Sequence, residues 1–275
     1  SKINEVVFLN NEASTVVAGG GRVYLRGGIL ETNLTTYPDA RNSFRYLGTS
    51  FSVASENASF SGITFDGNYF WAIGTATDTV YKYNSAGVYQ SVSFSVASQD
   101  TSPRGITWDG TYLWVVGTVT DSVYKYNASG VYQNVSFSVA SQTGNPGAIT
   151  WDGTSFWVIG SRTVYKYNSA GVYQNVSFSL AGNGYDFYGI AWDGTSFWVL
   201  GGYSWYIYKY NADGVYQNEK IYLGGNLDQS YYGLTWDGAS FQVGGFDSKK
   251  VYKFNPAIGI ESATGFGGYN YVRIK

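Results

Sequence analysis

An aspartate followed by glycine recurs five times along this 275-residue chain, at a nearly constant spacing. The aspartates are Asp66, Asp109, Asp152, Asp193 and Asp237, separated by 43, 43, 41 and 44 residues. Five equivalent carboxylates could form an acidic ring or five metal sites. Asp-Gly between two β-like runs is also a strong hairpin signal, because glycine supplies the positive φ and aspartate caps the turn. We interpret these aspartates as turn residues, since a residue present in every copy usually serves the repeat itself.

The residue types that are missing remove many kinds of chemistry. The chain has no histidine, cysteine or methionine, which excludes imidazole and thiolate metal sites and the Ser-His and Cys-His nucleophiles. Glycosidases generally need a pair of carboxylates, and none of the six glutamates recurs in the repeat. The sequence therefore predicts that the chain is not an enzyme and has no cofactor. A structural calcium ion is the one metal left open, because Asp, Asn and loop carbonyls are plentiful.

Charge and hydropathy argue against two classes of partner. Charged residues make up 13% of the chain, the net charge is −2, and no basic stripe is visible. Nucleic-acid binding needs a clustered basic surface. A membrane-spanning helix needs an apolar run of about 18 residues or more, which the sequence lacks. We therefore expect neither a nucleic-acid partner nor membrane insertion.

The elements that position these residues form a repeat. Each copy contains a Gly-aliphatic run, Asp-Gly, an aromatic run and then Val-Tyr-Lys-Tyr/Phe-Asn, as in GITWDGTYLWVVG followed by VYKYN. Four β-like runs in a period in the low forties predict an all-β fold, a β-propeller with four-stranded antiparallel blades. The tryptophans Trp71, Trp114, Trp157 and Trp198 occupy one row of the second strand. We predict that they pack between blades, because neighbouring blades cover both faces of a propeller blade.

The two ends of the chain raise the question of how many blades there are. The segment from Tyr46 to Ser55 resembles the fourth strand and exit of the later copies, such as Tyr89 to Ser98. This favours six blades, with strand-like segments at Glu5–Leu9, Thr15–Ala18, Arg22–Leu25 and Tyr269–Ile274 latching the ring. Five blades plus a separate N-terminal β element is the alternative. Residues 1–43 form a divergent N-terminal segment, either a partial blade or a docking element, and residues 44–275 the propeller.

The copies differ mainly on one predicted face, where the second–third hairpins and the blade-to-blade exits meet. Loops of the last three blades bring aromatic side chains together with Asp and Arg, a combination that suits sugars or protein surfaces. The predicted ligand-binding residues are Arg162, Tyr185, Asp186, Tyr188, Tyr203, Trp205, Asp228, Tyr231, Tyr232 and Asp247. Phe187 and Gln229 belong to the same loops. The alternative is drift of the loop sequences, with some of these rings packed beneath the loops.

The phrases SFSVASQDTSPRGITWDGTYLWVVG and VYKYNASGVYQNVSFSVASQ resemble a repeat of bacteriophage tail-fibre, tail-tip and vertex-spike proteins. The resemblance extends from Tyr46 to about Asn255 and its motif is mainly structural. It implies a propeller on the virion surface, hence extracellular, that attaches to a host. The N-terminal 43 residues lie outside it and could bind other virion proteins.

Three functions follow as hypotheses. The first is a receptor-binding protein that recognises a bacterial surface glycan or outer-membrane component through the variable loops. The second is a propeller glycosidase or lyase acting on surface polysaccharide. The third is a structural assembly component, which would present an apolar patch and no free ligand face.

Overall fold

The computed structural model describes residues 6–10, 13–17, 30–31, 46–57, 59–184, 186–223, 227–256, 260–264 and 270–274. The chain forms two compact units. The larger is Tyr46–Pro256, and the smaller combines Ser1–Arg45 with Ala257–Lys275. Within the described residues, no helix is long and apolar enough to cross a membrane.

The larger unit is a β-propeller whose first four blades follow chain order from the central channel outward. The first blade has strands Phe60–Phe65, Tyr69–Gly74, Thr79–Asn84 and Tyr89–Ser95. The second has Pro103–Trp108, Leu113–Gly117, Ser122–Tyr126 and Tyr132–Ser138. The third has Pro146–Trp151, Ser155–Gly160, Thr163–Asn168 and Tyr173–Ser179. The fourth has Phe187–Trp192, Ser196–Gly201, Tyr206–Asn211 and Tyr216–Tyr222.

The fifth blade is built from both ends of the larger unit. Its three inner strands are Tyr231–Trp236, Phe241–Gly245 and Lys250–Phe254. Its outer strand is Tyr46–Ser52, which runs antiparallel to Lys250–Phe254. The propeller therefore has five blades: the prediction of six is wrong, and the five-blade alternative is confirmed. The segment at Tyr46 does resemble a fourth strand, but it completes the last blade instead of belonging to an additional one.

Small residues let the five first strands approach one another around the channel. The equivalent positions are Gly62, Gly105, Ala148, Gly189 and Gly233. A Cβ atom on Gly105 would lie 2.9 Å from the Cα of Ala148, and one on Gly233 would lie 2.9 Å from the Cα of Gly62. The second contact joins the fifth blade to the first. Five strands at this separation thus close a narrow channel.

Aromatic side chains fill the spaces between blades. The ring of Trp114 lies 4.7 Å from that of Phe156 in the next blade, and Trp157 lies 4.7 Å from Phe197. All four repeated tryptophans are buried. The predicted inter-blade packing is confirmed.

Each repeated aspartate organises its own hairpin. In Asp152 one carboxylate oxygen accepts hydrogen bonds from the backbone N–H groups of Thr154 and Ser155, at 2.7 Å each. The other oxygen accepts the indole N–H of Trp157 at 2.6 Å. The indole N–H groups of the other repeated tryptophans are bound in the same way, in the pairs Asp66–Trp71, Asp109–Trp114 and Asp193–Trp198. Asp237 instead accepts a hydrogen bond from the side-chain amide of Gln242. The turn interpretation is confirmed, and the carboxylate also fixes the packing tryptophan.

In the described parts of the smaller unit there are two small antiparallel sheets. Strands Val6–Asn10 and Ala13–Val17 form a hairpin. Strand Asn270–Ile274 pairs with Ile260–Thr264 on one side and with Leu30–Glu31 on the other. The C-terminal strand is therefore not part of a propeller blade. The predicted strand Arg22–Leu25 lies outside the described residues.

Candidate ligand-binding site at the channel mouth

The two ends of the channel differ in chemistry. At the Asp-Gly end, the first strands line a cavity of about 130 Å³ with nearly identical rows of Ile/Leu, Thr/Ala and Trp/Phe side chains. At the opposite end, the second–third hairpins and the blade exits surround the mouth, and it is here that the copies differ. The residues able to distinguish one ligand from another therefore lie at this variable mouth.

A β-bulge in the first strand brings a side chain to the variable mouth in the second and fourth blades. In the second blade Pro103 pairs with Gly117 and Gly105 with Val116, so Arg104 is the extra residue. Tyr188 holds the same position in the fourth blade. Bulges commonly redirect a side chain at the rim of a barrel-like structure. The five residues that precede the small residue of the first strand are Ser61, Arg104, Gly147, Tyr188 and Tyr232.

Four aromatic rings form a cluster at the mouth. Tyr188 and Tyr232 stack with ring centroids 4.2 Å apart and an interplanar angle of 11°. Tyr203 meets Tyr188 edge-on at 6.1 Å, and Phe246 lies 4.9 Å from Tyr232. Gly202 makes room for Tyr188, because a Cβ atom there would overlap its ring. We call Tyr188, Tyr203, Tyr232 and Phe246 the aromatic cluster.

The hydroxyl groups of Tyr188 and Tyr232 remain protonated at neutral pH. Burial raises the pKa of Tyr232 far above its ordinary value, and the neighbouring hydroxyls of Tyr203 and Tyr188 raise it further. Burial and then Asp186 raise the pKa of Tyr188, against the opposing effect of Arg104. Both tyrosines can therefore donate hydrogen bonds as well as accept them.

Arg104 is a cation without a partner in the described part of the chain. Its side chain is half-buried at the channel mouth, where Tyr188 also lines the wall. The Nε atom is buried and makes no hydrogen bond to the residues described. No carboxylate of those residues forms an ion pair with it. The third blade places Gly147 at the equivalent position, so no side chain stands there between the blades of Arg104 and Tyr188, and a Cβ atom would meet the carbonyl oxygen of Phe187 at 2.7 Å.

The loop of the fourth blade presents two large rings to solvent. Tyr203 is 61% exposed and Trp205 is 37% exposed. Trp205 has φ = +57°, at a position that is Asp78, Asp121, Ser161 or Lys249 in the other blades. A bulky residue in the left-handed region is unusual and costs about 1–3 kcal/mol. The indole N–H donates to the carbonyl of Gln229 at 2.9 Å, which holds the ring over the next exit loop.

The remaining predicted site residues differ in their exposure to solvent. Asp186, Asp247 and Arg162 are exposed, and Asp247 accepts a hydrogen bond from the hydroxyl of Ser230 at 2.8 Å. Arg162 lies on the third blade, outside the aromatic cluster. Tyr185 lies outside the described residues.

Two predicted residues are buried, which corrects their expected place on the surface. Asp228 is 5% exposed and accepts the backbone N–H groups of Ser230, Asp247 and Ser248. Tyr231 is 0% exposed. Phe187 is buried as well, at 3%. Successive side chains of a strand point to opposite faces, so Tyr231 points into the interior while Tyr232 reaches the mouth.

Sequence reasoning missed Arg104, although a signal was present. Arg104 is the single cation at a position that is otherwise Ser, Gly or Tyr in the aligned copies. It lies in the second blade, outside the aromatic loops of the last three blades that predict the other site residues. As for metals, no group of three or more acidic side chains close enough to hold an ion occurs within the described residues.

Comparisons with known proteins bear on the fold. No protein-family model matches the sequence, and no curated protein matches it. The structure is similar to that of glutaminyl cyclase from Myxococcus xanthus, with a TM-score of 0.61 and 9% identity over 75% of this chain and 94% of that one. It is also similar to virginiamycin B lyase from Staphylococcus aureus, with a TM-score of 0.48 and 14% identity over 92% and 88% of the two chains.

The glutaminyl cyclase overturns one expectation. The sequence predicts that this chain is not an enzyme, but a solved propeller of the same fold is one. The prediction is therefore wrong as an exclusion, because this fold does occur in an enzyme. At this level of identity the likeness shows the fold alone.

Proposed function

We propose that this propeller is a virion receptor-binding protein that recognises a glycan or outer-membrane component on a bacterial surface. The observation that carries the proposal is the aromatic cluster at the variable mouth, on a scaffold whose other face is nearly constant from blade to blade. The resemblance of the repeat to phage tail-fibre and spike proteins supports the virion setting and the extracellular location.

The chemistry of the mouth suits a sugar. Tyrosine rings pack against the apolar faces of sugar rings, and hydroxyl and carboxylate groups bond sugar hydroxyls. Tyr203 and Trp205 supply exposed rings, while Tyr188 and Tyr232 supply protonated hydroxyls at the mouth. Exposed Asp186 and Asp247 add acceptors beside them. Attachment to other virion proteins through residues 1–43 is part of the same proposal.

The test measures binding of the fluorescently labelled full chain to a panel of bacterial cells, before and after periodate oxidation of their surface glycans. We expect saturable binding that periodate removes. Tyr203→Ala should weaken that binding at least about tenfold, because an exposed ring of a binding site contributes directly to affinity. Its exposure predicts little change in the melting temperature.

The matched control is Val215→Ala. Val215 is 58% exposed on the same blade, but it lies in the third–fourth hairpin on the opposite face. It should leave cell binding unchanged. If no cell binds, or if Tyr203→Ala and Val215→Ala behave alike, the proposal fails and the structural assembly role gains weight. Binding that survives periodate would replace the glycan with a protein receptor.

Cleavage of the same polysaccharide is a second candidate. The observation that favours it is the exposed carboxylate of Asp186, two residues from Tyr188 at the mouth and close enough to raise the pKa of the tyrosine hydroxyl. A base and a proton donor in one place are the minimum for general acid–base chemistry. Incubation of the protein with purified surface polysaccharide, followed by analysis of released oligosaccharides, tests it. Release that Asp186→Asn abolishes would support this candidate, and an unchanged polysaccharide would exclude it.

A further inference from the structure

The unpartnered guanidinium of Arg104 requires an explanation that the propeller fold does not supply. A buried polar atom without a hydrogen-bond partner costs free energy, and proteins avoid the arrangement unless something else occupies the site. The Nε–H of Arg104 is such an atom, and the other four blades function without a cation at this position. The residue is therefore not required for blade structure.

The surroundings of Arg104 show what would satisfy it. Its guanidinium shares the channel mouth with Tyr188, whose pKa it lowers against the larger effects of burial and Asp186. Tyr188 in turn stacks on Tyr232. Gly147 leaves the intervening position empty of side chain. A ligand at the mouth could pair with the terminal nitrogens of this half-buried side chain while a ring of the same ligand contacts the tyrosines.

We propose that the channel mouth binds the carboxylate of an acidic sugar, with Arg104 as the anion ligand and the Tyr188–Tyr232 pair as the surface for the sugar ring. Arginine presents a planar set of donors that fits a carboxylate with two parallel hydrogen bonds. The partly buried site strengthens this pairing relative to open solvent. The inference names the ligand class of the proposed attachment site and rests on that function only for its biological meaning.

The experiment observes the Nε–H resonance of Arg104 by NMR during titration of the full chain with glucuronate, glucose and acetate. The resonance is assigned by its absence in Arg104→Gln. Glucuronate should shift it saturably, and should shift signals near Tyr188 and Tyr232 as well. Glucose, which lacks the carboxylate, should not. An equal response to acetate would reduce the site to a plain anion site and overturn the sugar part.

Variants of Arg104 distinguish the contribution of its paired N–H donors from that of its positive charge. Arg104→Gln should weaken glucuronate binding at least about tenfold, and Arg104→Lys should fall between it and the native protein, because lysine keeps the charge but not the paired donors. Lys250→Gln is the matched control: it removes one positive charge at an exposed position of the fifth blade. It should bind as the native protein does. Dispersed spectra of all three variants establish that each is folded.

The two proposals fail in different ways. Unaltered glucuronate affinity in Arg104→Gln, or no shift of the Arg104 signal, overturns the anion site whatever the cells show. If Arg104→Gln still binds cells in a periodate-sensitive way, attachment stands and the acidic-sugar inference fails. If glucuronate binds at Arg104 but no cell is bound, the site exists and the attachment role fails.

Discussion

A single carboxylate in each hairpin performs two structural tasks. The case of Asp152 is representative: one oxygen holds the turn, and the other holds the indole of Trp157. Burial alone would raise its pKa, but the hydrogen bonds from Trp157 and Thr154, with those from the turn backbone, lower it overall. The charged form is therefore the one that the folded protein prefers.

This preference predicts a pH-dependent contribution to stability. Asp152 stabilises the fold above its ordinary pKa of 3.8, and the contribution is lost as the pH falls through its lowered folded-state pKa. Asp152→Asn should lower the free energy of unfolding by about 1–3 kcal/mol at neutral pH, because the amide nitrogen cannot accept the second hydrogen bond. The loss should shrink as the pH falls below 3.8 toward about pH 2, because the native carboxyl also becomes protonated as the pH passes through its lowered folded-state pKa.

Urea unfolding at both pH values measures this difference. The control is Asp213→Asn, an exposed turn residue of the fourth blade, which should change little. Equal losses for Asp152→Asn at neutral and acidic pH would contradict the role assigned to the charged form.

At the scale of strands and turns, contacts repeat from blade to blade. The glycine of each third–fourth turn receives a side chain from the outer strand of the preceding blade: Phe94 at Gly130, Phe137 at Gly171 and Phe178 at Gly214. Phe51 lies against Gly87 in the same manner. Strand Tyr46–Ser52 thus behaves as the outer strand of the blade before the first, which is the fifth.

Substitution of Gly87 tests whether strand Tyr46–Ser52 packs against the first blade. Gly87→Ala should cost about 1–2 kcal/mol for its positive φ and about 1–3 kcal/mol more for the overlap with Phe51. Gly67→Ala shares the positive φ but meets no atom within 4 Å, so it should show the first cost alone. Denaturant unfolding of both variants gives the difference. Equal losses would mean that Phe51 does not pack against the first blade.

Most strands and turns of the propeller can be predicted from the sequence, whereas the bulge in the first strand cannot. The hairpins follow from Asp-Gly and Asn-x-x-Gly turns, whose backbone requirements are local. The bulge before Gly105 was not readable, because it depends on how Pro103 and Gly105 pair with the neighbouring strand. That bulge brings Arg104 to the mouth, and the equivalent bulge before Gly189 brings Tyr188 there.

For the molecule as a whole, ring closure depends on the absence of side chains near the axis. Gly105→Ala would place a Cβ atom 2.9 Å from the Cα of Ala148 and 3.0 Å from the backbone nitrogen of Ile149. These backbone atoms of the neighbouring strand cannot move aside as a flexible side chain would, so we expect a loss of about 1–3 kcal/mol.

The measurement is thermal and urea unfolding, followed by fluorescence of the tryptophans that lie between blades. A closed ring should lose stability in one cooperative transition, with the two methods in agreement. Gly144→Ala is the control, since its nearest atom would be an ordinary 3.7 Å away. Separate transitions for different blades in Gly105→Ala would argue against a ring that unfolds as one unit.

The sequence by itself determined the blade, because a blade is made of local patterns: alternation along strands, turn residues, and the aromatic rows that cover its faces. It also indicated which face varies. Only the tertiary structure decided how many blades there are, because the Tyr46 strand could be assigned to the last blade only from its pairing with Lys250–Phe254.

The composition of the site was likewise decided only by the tertiary structure. Tyr231 and Tyr232 are adjacent in sequence, yet one is interior and the other stacks on Tyr188, and Arg104 joins them from two blades away. Such proximity arises from closure of the ring, which no local pattern encodes.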